Sequence, residues 1–271
     1  MKLLIVTPTL GNSPWLAETI ASVANLSAHH VVVAPRTTQD ALSKQFPRIV
    51  LVDDPGNGMY GAINAGIAHV PDWDAFTYIN DDDLLLPDFA RVMKCLHFSD
   101  RPLIAYGGVR LIDSAGRRLG SIPISPDPAL NRHLYAERLE PVYQHGTIVS
   151  RGAMDQLGGF DATLRFCGDS EFLARACMSG VPFHCATRRE VAAFRLRAGQ
   201  LTKNRVAMVA ERAAIDTRLR LLSVSNKDVS VAARRRFRVA NARIYLERIL
   251  RHGFVSFDSL LERGGVNPAD R

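Results

Sequence analysis

Three consecutive aspartates, Asp81, Asp82 and Asp83, directly follow an apolar segment of the chain. Adjacent carboxylates repel one another, and a divalent cation offsets the cost of placing them together. Mg²⁺ and Mn²⁺ prefer oxygen ligands and usually keep coordination positions for substrate phosphates. Because alternate side chains of an extended segment point the same way, Asp81 and Asp83 can hold one ion while Asp82 faces a ribose hydroxyl. The alternative is a solvated acidic turn.

A second group of carboxylates, Asp169 and Glu171, follows Gly168 where a helix is predicted to begin. The helix dipole stabilises a carboxylate at this position, and a glycine lets a substrate approach the backbone closely. Asp169 is therefore a candidate general base that removes a proton from a hydroxyl group. The alternative is an ordinary helix N-cap.

Three isolated polar residues lie near the ends of predicted strands. His145 precedes one strand, and Arg195 and Arg197 flank the end of another. Either arginine can bind a diphosphate group through its guanidinium. A structural histidine and solvated or ion-paired arginines are the default interpretations of such side chains.

Residues 56–61 match the pattern GxGxxG, follow an apolar strand and precede a predicted helix, with Asp81 some twenty residues further on. This arrangement imitates a dinucleotide-binding fingerprint. However, it follows the third predicted strand rather than the first, residues 53–55 separate it from that strand, and the later acid is a triplet. We therefore favour glycines that make a tight turn or let backbone lie close to a nucleotide; NAD or FAD binding is the alternative.

The elements that must position these residues alternate between strand and helix in the first half of the chain. Strands are predicted at residues 3–6, 30–34, 49–52 and 75–79, and helices after Asn12 or Ser13, at residues 58–69 and from Pro87. This alternation predicts an α/β fold with a mostly parallel sheet flanked by helices. Ligands bind at the carboxyl ends of such strands, where residues 7–12 and the aspartates lie.

The second half is less regular. Strands are predicted at residues 104–111, 147–149 and 191–196, a turn at 113–116, a loop over the site at 121–141, and helices from Ser150 to the Gly158–Gly159 pair and at 169–179. A helical pattern then runs from about residue 203 to 252, broken near 223–228.

Composition is typical of a soluble globular protein, with 47% apolar and 23% charged residues among 271. No apolar run is long enough to cross a membrane, and the N-terminal one is too short for a signal peptide. The four cysteines have no CxxC spacing, which argues against a disulfide scaffold or a zinc ribbon. We expect a cytoplasmic protein with reduced thiols.

Positive charge is concentrated near the C-terminus. Residues 203–251 contain 13 lysines and arginines and four acidic residues, a net charge of +9, whereas the whole chain carries +7. Such a segment suits an anionic membrane, a phosphorylated lipid or nucleic acid. Val239, Ala242, Leu246 and Ile249 follow a helical stripe, which fits either a helix on a membrane or one packed on the main domain. No nucleic-acid module is recognisable, so nucleic acid is not expected.

Taken in order, these motifs resemble the family 2 glycosyltransferases of the GT-A fold, over about residues 2–204. The segments that carry the resemblance are residues 5–12, 54–67, 78–87, His145 with Arg151, 158–161 and 169–173. The resemblance implies domains at 1–204 (GT-A) and 205–271 (a basic helical extension). It implies an inverting transfer of sugar from a nucleoside diphosphate sugar to a hydroxyl of a glycan or lipid-linked acceptor, in polysaccharide biosynthesis of the cell envelope.

The resemblance also implies residue roles. Asp83, with Asp81 nearby, would hold Mn²⁺ or Mg²⁺ on the diphosphate, and Asp169 would be the catalytic base. The residues expected to bind the nucleotide sugar are Thr7, Pro8, Thr9, Gly58, Asn64, Asp81 and Asp82. Those expected on the acceptor or diphosphate side are His145, Gly168, Arg195 and Arg197. A peripheral contact with the inner face of an anionic membrane would run through the basic C-terminal helices.

Two departures leave the nucleotide base undefined. Members usually carry an acidic pair after the second strand, where this chain has Pro35 and Arg36, and many have an acid in place of Gly61. Two other functions are kept as alternatives. One is a metal-dependent nucleotidyltransferase, which would need a basic loop that residues 7–13 lack, and the other is a non-catalytic nucleotide-sugar-binding module.

Overall fold

The computed structural model describes residues 1–96, 101–197, 205–221 and 227–253. In chain order the strands are β1 (Leu3–Pro8), β2 (Ala28–Ala34), β3 (Val50–Asp53), β4 (Ala75–Tyr78), β5 (Leu84–Leu85), β6 (Ile104–Ile112), β7 (Arg118–Ile122), β8 (Thr147–Ser150) and β9 (Phe183–Arg195). The α-helices are α1 (Leu16–Val23), α2 (Arg36–Gln45), α3 (Met59–His69), α4 (Phe89–Leu96), α5 (Asn131–Ala136), α6 (Arg151–Leu157), α7 (Gly168–Met178), α8 (Arg205–Arg218), α9 (Lys227–Ala240) and α10 (Ala242–His252).

The strands form one sheet in the order β3-β2-β1-β4-β8-β6-β9-β5, with β7 paired to β6. From β3 to β4 every pairing is parallel, as predicted. Beyond β4 the sheet is mixed: β8 runs antiparallel to both β4 and β6, β5 runs antiparallel to β9, and β6 and β9 are parallel. The predicted α/β fold is confirmed, and its parallel part is the half whose strands are joined by α1, α2 and α3.

Strand β1 shows why helices cover both faces of the sheet. Its side chains alternate, so that Leu4 and Val6 join the hydrophobic cluster beneath α3 while Leu3 and Ile5 join the one beneath α4. All four are fully buried. A strand that is buried on both sides appears in sequence as a continuous apolar run, which is the pattern that residues 3–6 display.

Several elements differ from the sequence-based prediction, which contained neither of the short strands β5 and β7. Helix α2 was not predicted, because only Leu42 of its ten residues is buried and it shows no apolar stripe. The expected loop at 121–141 contains α5, which packs against α7 and α9. Strand β9 begins eight residues earlier than predicted, because its half-exposed N-terminal part pairs with β6 through several register shifts.

The C-terminal helices pack on the main domain along one side. On α9, Ala233 and Phe237 join Leu130 and Leu134 in a small hydrophobic cluster. The fully buried Asn241 donates from Nδ2 to the Ile124 carbonyl at 2.9 Å. Packing on the domain, one of the two predicted alternatives, is therefore observed for the inner side of α9, and the predicted domain junction at 204/205 borders residues outside the described ranges.

The predicted apolar stripe of α9 and α10 faces outward. Val239 is 70% exposed and Leu246 is 56% exposed, so these side chains do not pack on the domain. Within the part of the chain that the structure describes, no helix is both long and apolar enough to cross a bilayer. The predicted helix break at 223–228 falls mostly on residues outside the described ranges.

Close packing of α3 on the sheet depends on Gly66. A Cβ atom at this position would lie 2.7 Å from a Val6 methyl carbon and 2.9 Å from one of Val33. We predict that Gly66→Ala lowers the free energy of unfolding by about 1–3 kcal/mol, because overpacking forces the helix away from β1 and β2. Urea denaturation measures the change.

Gly152→Ala in α6 is the matched control. There a new Cβ would meet nothing closer than 3.4 Å, and alanine favours the helix by up to about 1 kcal/mol. Equal stability changes in the two variants would contradict the packing argument.

Candidate active site

The loop after β1 and the loop after β4 meet at the carboxyl end of the sheet. Thr9 Oγ1 donates to Asp81 Oδ2 at 2.5 Å, and Ser13 Oγ donates to the Asp81 carbonyl at 2.8 Å. Burial raises the pKa of Asp81, against the effect of the Thr9 hydrogen bond. Because β1 and β4 are neighbouring parallel strands, the sheet order brings the two predicted segments together.

The Asp83 carboxylate is fully buried between three elements. Its Oδ1 accepts the Arg195 main-chain N–H at 2.8 Å, and its Oδ2 accepts Asn80 Nδ2 at 3.1 Å. The Asp83 carbonyl accepts the Thr19 hydroxyl at 2.8 Å. Pairing of β5 with β9 places the end of β9 against the aspartates, so Asp83 is held by backbone that lies more than a hundred residues away in the sequence.

His145 faces Asp83 from the turn before β8. Its Nε2 lies 3.2 Å from Asp83 Oδ2, and neither ring nitrogen has an aligned hydrogen-bond partner although both are buried. Burial lowers the pKa of His145, but the neighbouring carboxylates, Asp83 above all, outweigh it and raise the pKa above its ordinary value. The ring also packs on Phe194, with centroids 4.5 Å apart.

The Asp83–His145 pair fits a divalent cation. A carboxylate oxygen and an imidazole nitrogen are both ligands for Mn²⁺-like ions, and buried ring nitrogens that make no aligned hydrogen bond require an explanation. A separation of 3.2 Å is compatible with two ligands of one ion at about 2.1 Å each. Among the described residues no group of three His, Cys, Asp or Glu side chains converges, so phosphate or water oxygens would complete the shell.

Asp82 points away from this pair and contacts Arg197. Arg197 Nε donates to Asp82 Oδ2 at 2.5 Å, and the guanidinium lies over the Trp15 ring at 5.6 Å. Burial, followed by the charge of Asp83, raises the pKa of Asp82. In the structure the partner of Asp82 is therefore an arginine, and its predicted contact with a ribose hydroxyl stays a prediction.

Asp169 begins α7 as predicted and lies half-buried. Its Oδ1 accepts the Tyr60 hydroxyl at 3.1 Å. Burial, followed by the charge of Glu140, raises its pKa. The charge of Asp169 also acts on His145, so the candidate base and the candidate metal pair lie in one electrostatic neighbourhood.

Two carboxylates that the sequence did not single out hold the segment that carries Asp169. Glu211 of α8 accepts the main-chain N–H groups of Arg165, Phe166 and Cys167 at 2.7, 2.8 and 2.6 Å. Glu140 accepts the Ser170 hydroxyl at 2.7 Å and pairs with Arg212 of α8. No local pattern marks either residue, since each acts on a segment some 30 to 46 residues away in sequence.

The sequence profile of glycosyl transferase family 2 matches residues 4–157 of the chain. The chain belongs to this family. The match spans the three aspartates and His145 and ends before Asp169. No curated protein matches the chain in sequence.

Two solved structures show the same fold. The family member described here is 14% identical to S. aureus TarS 1–349 in complex with UDP-GlcNAc, with a TM-score of 0.57, covering 98% of this chain and 88% of that one. It is 13% identical to GalNAc-T7 with UDP, GalNAc and Mn²⁺, with a TM-score of 0.56, covering 89% of this chain and 54% of that one. At these identities the likeness concerns the fold, and the predicted glycosyltransferase family is confirmed.

Arg195 has a structural role in this glycosyltransferase, which corrects the expectation of a diphosphate ligand. Its side chain is fully buried. Nε donates to the Asp82 carbonyl at 2.7 Å, and Nη2 pairs with Glu18 at 2.7 Å. Nη1 approaches the carbonyls of residues 113 and 114. With its donors used inside the protein, Arg195 positions the aspartate loop rather than a ligand.

The side chains of Asn64 and Thr7 also have partners within the protein, and their assignment to the nucleotide sugar stays a prediction. Asn64 donates to the Phe160 carbonyl at 2.8 Å and accepts the Phe160 N–H at 3.1 Å. Thr7 Oγ1 lies 2.9 Å from His30 Nε2. The packing of Tyr60 also requires a glycine at position 168, because a Cβ atom there would lie 2.6 Å from the Tyr60 ring. Gly168 is therefore needed for a reason other than substrate access.

The other predicted nucleotide contacts remain predictions. Pro8 ends β1 beside Thr9, and both are buried at the edge of the candidate site. Gly58 has φ +91° and precedes α3 as its N-cap, so the backbone there requires glycine. The GxGxxG pattern follows β3, which is an edge strand of the sheet.

Two substitutions should move the pH dependence of transfer in opposite directions. A general base works only when it is deprotonated, so the rate rises with pH and levels off above the pKa of the base. Glu140→Gln removes a like charge, which lowers the pKa of Asp169 and moves the acid limb of kcat/KM to lower pH. Tyr60→Phe removes a hydrogen bond to the carboxylate, which raises the pKa of Asp169 and moves the limb to higher pH.

Tyr245→Phe in α10 is the control for the loss of a hydroxyl. A profile that both site variants leave unmoved, or move in the same direction, would exclude Asp169 as the titrating base.

Proposed function

We propose that this protein transfers a sugar from a nucleoside diphosphate sugar to a hydroxyl group of a glycan or lipid-linked acceptor, with inversion and with Mn²⁺ or Mg²⁺ as cofactor. The observation that carries the proposal is the buried Asp83–His145 pair, 3.2 Å apart, at the carboxyl end of the parallel strands and close to the Asp169 carboxylate. Family membership supports the same conclusion.

Each residue of this site has a definable task. Asp83 and His145 would hold the cation, with Asp81 beside them on the Thr9 hydroxyl. When bound, the cation would neutralise charge on the departing nucleoside diphosphate. Asp169, oriented by Tyr60, takes the proton of the acceptor hydroxyl as its oxygen attacks the anomeric carbon. The bond from that carbon to the diphosphate oxygen breaks in the same step, which inverts the centre.

Arg197 is the cation placed to meet the diphosphate. It is half-buried and borders the aspartate loop from the end of β9, and a guanidinium can exchange one anionic partner for another. A diphosphate that bound Arg197 would release the Asp82 carboxylate, which could then accept a ribose hydroxyl. This exchange reconciles the predicted role of Asp82 with the ion pair of the structure.

The donor and acceptor are proposed by class. TarS was solved with UDP-GlcNAc and GalNAc-T7 with UDP, so UDP-linked sugars are the first donors to test. A cell-envelope polysaccharide or its lipid-linked precursor is the proposed acceptor, which places the protein in the cytoplasm with a peripheral contact at the inner face of the membrane. No nucleic-acid partner is proposed.

A thermal-shift panel of UDP-, GDP- and dTDP-linked sugars, with and without Mn²⁺, tests the donor and the metal together. A ligand that binds only the folded state raises its stability, by about 2.7 kcal/mol at a hundred times Kd. We expect a metal-dependent rise of the melting midpoint with one nucleotide class. Asp83→Asn should abolish the rise, because the amide keeps the side-chain shape but weakens binding of the cation.

Asp155→Asn is the matched control, because Asp155 is 62% exposed and forms an ion pair with Arg151 on α6, away from the candidate site. Donor binding that persists in Asp83→Asn, or stabilisation by NAD in place of every nucleotide sugar, would count against the proposal.

Asp169→Asn separates donor binding from chemistry. We expect transfer to fall by roughly 10²–10⁴-fold, the usual contribution of a general base, while the metal-dependent thermal shift is retained. The readouts are the initial rate of transfer and the melting midpoint with donor and Mn²⁺. A variant that transfers at the wild-type rate would remove Asp169 from the mechanism.

A further inference from the structure

Exposed apolar side chains are concentrated on the C-terminal helices. Among the described residues, eight of the ten exposed large apolar side chains lie on α8, α9 and α10. A soluble surface usually scatters such residues singly. Their concentration on three consecutive helices therefore indicates that this part of the chain contacts another molecule or a membrane.

Helices α9 and α10 have clearly different inner and outer sides. Ser230, Ala233, Phe237 and Asn241 recur at helical spacing and are all buried against the domain. The opposite side carries Val231, Val239, Leu246 and Leu250, which are 55%, 70%, 56% and 77% exposed. Among the large apolar side chains of α10, the two leucines are the most exposed, and no residue of this helix is buried.

Arginines share this outer side with the apolar residues. Arg235, Arg238 and Arg243 are exposed, and no ion pair is found for them within the described part of the chain. The one acidic residue of α10, Glu247, is half-buried and pairs with Arg118 and Arg251. We call the set Val231, Arg235, Arg238, Val239, Arg243, Leu246 and Leu250 the outer face.

We propose that the outer face docks on an anionic lipid bilayer. The valines and leucines can enter the boundary between headgroups and acyl chains, while the long arginine side chains reach the lipid phosphates. Each arginine near an anionic surface adds to binding, and the attraction falls off within a Debye length. An anionic bilayer binds such a mixture of apolar and cationic side chains, and the one exposed carboxylate among the described residues of the two helices is Asp228, in the first turn of α9.

Two other occupants fit the outer face less well. A second copy of the chain, paired about a two-fold axis, would place the arginines of both faces together, and like charges repel. Nucleic acid would pair with the arginines through its phosphates but would leave Leu246 and Leu250 unexplained. The lipid surface is the partner that matches both kinds of side chain.

Co-sedimentation with vesicles tests the proposal on the full chain. We expect binding to vesicles of phosphatidylcholine mixed with phosphatidylglycerol, weak binding to phosphatidylcholine alone, and release at high salt. The double variant Leu246→Ser/Leu250→Ser and the triple variant Arg235→Gln/Arg238→Gln/Arg243→Gln should each weaken binding by about tenfold or more. All substituted side chains are exposed, so thermal melts should match the wild type.

Arg48→Gln/Val50→Ser is the matched control, because it removes an exposed arginine and an exposed valine from the edge of the sheet at β3. Absence of binding to anionic vesicles, or binding that the outer-face variants retain, would overturn the proposal. So would a dimer that the leucine substitutions dissociate, or oligonucleotide binding that only the arginine substitutions remove. Vesicle binding requires no donor or acceptor, so its failure would leave the proposed transfer untouched.

Discussion

The Asp83 carboxylate lies fully buried where the start of β5 meets the end of β9, and this placement constrains the loops around it. An ionised carboxylate is stable away from water only if its oxygens are hydrogen-bonded or paired. Asp83 receives the Arg195 N–H and the Asn80 amide and faces His145 across 3.2 Å. Each of these contacts comes from a different segment, so satisfying one buried charge fixes the relative positions of all three.

Arg195 extends this constraint outward. Its main chain binds Asp83 while its buried guanidinium binds the Asp82 carbonyl and Glu18. One residue therefore holds the aspartate loop from both sides and ties it to α1. A buried arginine is stable only when its donors are used, and this requirement makes it a scaffold for the site. The half-buried Arg197, two residues later, pairs with the Asp82 carboxylate, and this is the contact that we propose a diphosphate displaces.

Helix α8 belongs to the same physical unit as the candidate base, Asp169. Glu211 binds three successive main-chain N–H groups just before α7, and Arg212 neutralises Glu140, whose charge raises the pKa of Asp169. The extension predicted to begin at residue 205 thus supplies contacts that set the position and acidity of the candidate base. Any movement of α8 on the domain would therefore change the position or the pKa of Asp169. The outer face of α9 and α10 makes none of these contacts and is available to another partner.

The sequence predicted what local signals encode. Apolar runs gave β1 to β4 to within two residues, and the aspartates after β4 identified the edge of the sheet where the candidate site lies. Local signals could not show that Asn64 binds Phe160, 96 residues away, or that Arg195 is buried against a loop 112 residues away. Both residue types are as common in ligand sites as in structural networks, and only the fold decides which carbonyls and carboxylates surround them. The sequence predicted no role for Tyr60, Glu140 or Glu211. An isolated tyrosine or glutamate carries no local sequence signal, and its role is visible only when a distant segment packs against it.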